Sequence, residues 1–121
     1  MRFLAAALIS CALAPSAVAA PVAVLTADVT VNRHTHVVRA SAIVADDASQ
    51  VLDRRYRTVL RYRCGRGSWL TAKRIARGPA SATINWRYPR RLSGRRCDFR
   101  IIVSRIGQPQ QARSAVMRRR L

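Results

Sequence analysis

Few side chains in this sequence could do acid–base or metal chemistry. His34 and His36 are the only histidines, glutamate is absent, and the acids are Asp28, Asp46, Asp47, Asp53 and Asp98. Residues two apart on a strand share a face, so the histidines would offer two imidazoles to one ion. A copper or zinc site needs further ligands, and only Asp28 could approach, across a turn. Cleavage of a phosphodiester by acid and base needs groups on both sides of the scissile bond. Two histidines separated by one residue straddle a substrate poorly. Asp46-Asp47, with Ser49 and Asp53, is too sparse an array for calcium. No GxSxG, HExxH or P-loop motif occurs. The sequence is therefore read as non-enzymatic, with no cofactor and no metal; a secreted ribonuclease is the alternative.

The remaining chemistry is that of arginine. The chain carries 23 Lys+Arg against 5 Asp+Glu, a formal charge of +18, and Lys73 is the one lysine. A codon-biased composition accounts for arginine over lysine, but not for the excess of base over acid. Guanidinium stays charged and forks onto phosphate or carboxylate, and the summed positive field draws polyanions. Half of the residues are hydrophobic, which excludes a disordered basic tail.

The first residues read as an address. Arg2 is followed by the apolar run Phe3 to Ala14, then Pro15 and the small-x-small signal Ala17-Val18-Ala19. This is the pattern of a secretory signal peptide, and the run is shorter than the roughly 20 residues that span a bilayer. Cleavage is expected after Ala19, so residues 1–19 form a helical signal and 20–121 a single domain. Leu8-Ile9-Ser10-Cys11 imitates a lipidation box, but the apolar stretch before it is very short. The expected location is secreted or periplasmic. Cys11 leaves with the signal, and Cys64 and Cys97 remain in an oxidising compartment, where an even count points to one disulfide. The loop from 64 to 97 makes such a bridge worth about 3.8 kcal/mol by chain entropy.

The elements that must position these groups read as strands. Alternating stripes run through Ala23, Leu25, Ala27, Val29 and Val31, and through Val38, Ala40, Ala42 and Val44. Further stripes are Leu60, Tyr62 and Cys64; Trp69 to Ala76; Ala82, Ile84 and Trp86; Cys97, Phe99, Ile101 and Val103; and Gln111 to Met117. Turn residues separate them at Gly65-Arg66-Gly67, Gly78-Pro79, Ser93-Gly94 and Gly107-Gln108-Pro109. About seven short strands at this spacing predict an all-β antiparallel sandwich.

Tyr56-Arg57-Thr58-Val59-Leu60-Arg61-Tyr62-Arg63, a Gly turn and Trp69 resemble the C–C′ hairpin of a fibronectin type III or immunoglobulin-like domain. Trp86, Pro89, Leu92 and Gly94, then Cys97 to Val103, resemble its strands E and F, although the F-strand core tyrosine is missing. The resemblance implies that C and F are antiparallel neighbours, with Cys64 ending one beside the start of the other at Cys97. Antibody-type domains instead bridge strands B and F. Tyr62-Arg63-Cys64-Gly65 and Leu92-Ser93-Gly94 also resemble motifs of bacterial C-type lysozyme inhibitors, but a basic lysozyme would repel this chain.

On that arrangement Arg57, Arg61 and Arg63 on C and Arg100 on F share the outward parity, and Arg95 and Arg96 extend the patch beside Cys97. These six are the expected polyanion-binding residues. Arg118, Arg119 and Arg120 are expected to fray at the end of the chain. The aromatics are assigned mostly to the core, so base stacking is not signalled. Nucleic acid stays open as a partner beside an anionic envelope polymer, lipid head groups or an acidic protein. The alternative is an accessory envelope domain whose charge is compositional.

Overall fold

The computed structural model describes residues 22–45, 55–109 and 111–121. The signal segment, Cys11, and the Asp46-Asp47, Ser49 and Asp53 loop lie outside the described residues. Strands β1 (Ala23–Asn32), β2 (Val37–Ala45) and β5 (Thr83–Arg87) form a three-stranded sheet in the order β1-β2-β5. Strands β3 (Tyr56–Cys64), β4 (Leu70–Gly78), β6 (Arg96–Arg105), β7 (Gln111–Arg113) and β8 (Met117–Arg120) form the second sheet. Its order is β4-β3-β6-β7, with β8 also on β6. Every pairing is antiparallel. Among the described residues no helix is long and apolar enough to cross a membrane.

Period-two alternation builds the core. Val38, Ala40, Ala42 and Val44 of β2 are buried, as are Leu60 and Tyr62 of β3 and Cys97, Phe99, Ile101 and Val103 of β6. The inner faces of the two sheets share this one cluster, which makes the architecture a β-sandwich. Tyr62 from one sheet packs on Trp86 from the other, ring centroids 4.7 Å apart. Between β5 and β6 the chain makes a 3-10 turn at Arg90–Leu92 that drives Leu92 into the core. Gly94 follows at φ 82° and donates its N–H to the Leu121 carbonyl, a left-handed position that glycine takes without Cβ strain.

Three expectations need correction. The β1–β2 register slips between Val24 and Thr26, and such a bulge reverses which parity faces inward. Val22 is therefore buried and Ala23 exposed, while Val29 keeps its place in the expected stripe. The run from Gln111 to Met117 is not one strand. It breaks at Ser114, whose hydroxyl accepts the Ile101 N–H (2.9 Å) and donates to the Ala115 carbonyl (2.9 Å). Nor do Arg118, Arg119 and Arg120 fray: they lie in β8, in register with Asp98, Cys97 and Arg96. Arg119 donates from Nε to the Val29 carbonyl (2.8 Å), tying the edge of one sheet to the edge of the other.

Cys64 and Cys97 are bonded and directly opposite in the β3–β6 ladder, with Cα atoms 4.1 Å apart. The bridge thus joins the two inner strands of the five-stranded sheet.

Candidate functional site

Alternation that buries one side of the five-stranded sheet sends arginine to the other. On β3, Arg57, Arg61 and Arg63 alternate with buried Tyr56, Thr58, Leu60 and Tyr62. On β6, Arg96, Asp98, Arg100 and Ile102 alternate with the core residues Cys97, Phe99, Ile101 and Val103. Pairing brings Arg74 of β4 opposite Val59, Arg113 of β7 opposite Ile102, and Arg118 of β8 opposite Asp98. The three-stranded sheet is different. Its exposed positions include Asp28, Thr30, Ser41, Ile43, Thr83 and Asn85, with Arg39 and Arg87. The sandwich therefore has one basic face and one nearly neutral one.

Asp98 is the single acid at these outward positions of the basic face, and arginines already hold it. Its carboxylate accepts from Arg118 Nε at 2.9 Å and from Arg63 at 3.3 Å, and its side chain is only 10 % exposed. The Arg118 hydrogen bond, with that of Arg63 and the charge of both, holds the Asp98 carboxyl below its ordinary 3.8, while burial pushes it the other way. The same contact raises the Arg118 guanidinium.

Beside this trio stands Trp69. The Arg63 guanidinium lies 4.5 Å and that of Arg100 5.2 Å from the centre of its ring, distances at which the indole quadrupole attracts cations. Arg61 donates to the Trp69 carbonyl (3.2 Å). Arg61, Trp69, Arg100, Ile102 and Arg113 line an open surface pocket of about 200 Å³. The side chains of Arg100 and Arg113 make no hydrogen bond or ion pair among the described residues.

Comparison with protein-family models, curated proteins and solved structures finds no match. The site must be argued from its own geometry.

Arg61, Arg63 and Arg100 are brought together around Trp69. Arg57 stands farther along β3, exposed and opposite Ser104. Arg96 lines a neighbouring cavity of about 300 Å³ with Gly65, Arg66, Asp98 and Arg118. Arg95 precedes β6 and donates to the Cys64 carbonyl (3.0 Å). It lines a cavity at the loop end of the sheet with Arg66, Arg91 and Leu92, apart from the one beneath Trp69. Sequence reasoning missed Trp69, Arg113 and the pairing of Asp98. Arg113 was findable, because Gln111, Ala112 and Arg113 alternate and place it outward with Gln111. His34 and His36 sit in the β1–β2 turn, where the Asn32 side-chain oxygen accepts the N–H groups of His34 (3.0 Å) and Thr35 (3.2 Å). His36 takes a positive φ of 57° and packs on Tyr88, centroids 5.3 Å apart.

Proposed function

We propose that the chain is a small exported binding domain without catalysis, which takes up a polyanion on the outer face of its five-stranded sheet. The observation that carries this reading is the asymmetry of charge between the two outer faces. A merely compositional excess would spread arginine over both sheets. Here it gathers on β3, β4, β6, β7 and β8 and leaves β1, β2 and β5 near neutrality. Like charges opposite one another on adjacent strands weaken a sheet, so a face of this kind costs stability unless anions neutralise it.

The strand order supports a domain of the fibronectin type III or immunoglobulin-like kind. In that reading β3 and β4 are the C–C′ hairpin, β5 and β6 are E and F, and β7 with β8 is an interrupted G. The disulfide and the amino-terminal sequence support export to the periplasm or outside the cell. The nearest polyanions there are envelope polymers, lipid head groups and acidic proteins.

The test compares two double variants that remove equal charge. Arg100→Gln/Arg113→Gln removes it from the basic face and Arg39→Gln/Arg87→Gln from the other. On phosphocellulose and on carboxymethyl cellulose the first should elute at much lower salt, because each lost contact lowers the counterion release that makes binding salt-dependent. Equal shifts would mean that only net charge matters. No retention of the wild-type protein at low salt would defeat the polyanion reading.

A further inference from the structure

We infer that the anion recognised on this face is phosphoryl rather than carboxyl, an inference that rests on the proposed polyanion site and deepens it. Arg61 and Arg100 are direct partners across β3 and β6, a like-charge pair of the destabilising sort. Asp98, the one acid at the outward positions of this face among the described residues, cannot relieve it, since it is engaged by Arg63 and Arg118. Both guanidiniums line the same pocket of about 200 Å³, and Arg113 lines it too. The Nε atoms of Arg61 and Arg100 are buried without a partner, so a ligand meets the terminal nitrogens of each.

The shape of this arrangement selects among anions. A carboxylate has two oxygens in one plane and a single charge, so it can hold two arginines, as Asp98 does, but leaves nothing for the third that lines this pocket. A terminal phosphate presents three acceptor oxygens in a tetrahedral array and up to two charges, and two neighbouring units of a polyphosphate chain present four oxygens and two charges together, so either can take forks from arginines that converge from different strands. Arg113 sits on the diagonal from Arg100, about 7–8 Å across the ladder, where it reaches the remaining oxygen or the next phosphate of a polymer. Ile102 and Trp69 supply apolar walls, which displace water and strengthen each charge-assisted bond. The Trp69 carbonyl bond holds Arg61 in place before the ligand arrives.

Polyphosphate and poly-L-glutamate, fluorescently labelled and titrated with the protein at one ionic strength, test this directly. Polyphosphate should bind about tenfold more tightly per charge, as one further charge-assisted bond to the third arginine would give. Arg61→Gln should bring the two polymers to within about twofold of each other, while Arg39→Gln keeps the wild-type ratio. The far-ultraviolet dichroism of both variants should match the wild type. Equal wild-type affinities for the two polymers overturn the phosphoryl assignment and leave the polyanion reading standing; binding of neither overturns both. Vesicles bearing phosphatidic acid distinguish the source of the phosphate. Competition with polyphosphate assigns a lipid headgroup and its absence a polymer, and either result with Arg61 dependence intact supports the proposal.

Discussion

Replacing Asp98 by Asn should lower stability and raise anion affinity, two effects of opposite sign from one change. The carboxylate accepts two charge-assisted bonds and is 90 % covered, whereas its arginine partners keep 66 % and 33 % exposure. Hydrogen bonds to charged groups are worth about 1.5–3 kcal/mol and exposed ion pairs much less. The accessible guanidiniums keep the sum toward the low end, so Asp98→Asn should cost about 2 kcal/mol at neutral pH. The carboxyl is held below its ordinary 3.8 in the folded protein. A depressed acid contributes stability above its unfolded value and loses it as the pH falls through the folded value. The gap between wild type and variant should hold from pH 7 to about pH 5, narrow as the pH falls through the ordinary carboxylate range, and close only below the depressed folded value. Binding moves the other way. A ligand at Arg100 lies about 7 Å along the strand from Asp98, and removing that repulsion in water is worth about 0.6 kcal/mol, or threefold in affinity. Urea unfolding across pH and polyphosphate titration read the two effects. A stability gap that does not narrow as the pH is lowered below about 4, or an affinity that falls with stability, would refute Asp98 as the internal counterion of this face.

The double variant Cys64→Ser/Cys97→Ser should lose about 2–5 kcal/mol in urea unfolding, the usual cost of removing a bridge from a small secreted domain; unchanged stability would place the constraint elsewhere. Phe99→Ala removes the largest wholly buried side chain of β6 and should cost about 3–5 kcal/mol by the same measurement. A loss under 1 kcal/mol would mean that the two sheets repack around the hole.

Much of the frame was legible because alternation and register are local properties. The stripes at Val38 to Val44 and Cys97 to Val103 fix their own inward faces. Cys64 ends one stripe and Cys97 begins another, which in antiparallel neighbours puts them at one level. What alternation cannot encode is a slip, and the bulge after Val24 inverted the first residues of β1. Residue type misled at Trp69. An indole in a small chain is usually core, yet this one lies over arginines on the outer face, and only the β3–β4 register puts it there. The carboxy-terminal arginines looked like a solvated tail because charge gives no period. Their order comes from partners distant in the chain, Asp98 for Arg118 and the Val29 carbonyl for Arg119. Shared outward parity put Arg61 and Arg100 on one face, whereas the engagement of Asp98 by two arginines had no signal in its own segment.

The position of the disulfide also sets the order in which the molecule comes apart. Its sulfur atoms clamp β3 to β6 at the far end of a nine-residue ladder, while no covalent tie crosses β1, β2 and β5. Local opening follows the weakest boundaries, so amide hydrogens of the three-stranded sheet should exchange through partial openings in which β3 and β6 stay together. Such a half-opened molecule still carries Arg61 and Arg100 side by side, and a ligand bridging them would protect the very strands that the sulfurs already hold. The basic face is then the last part of the domain to dissolve.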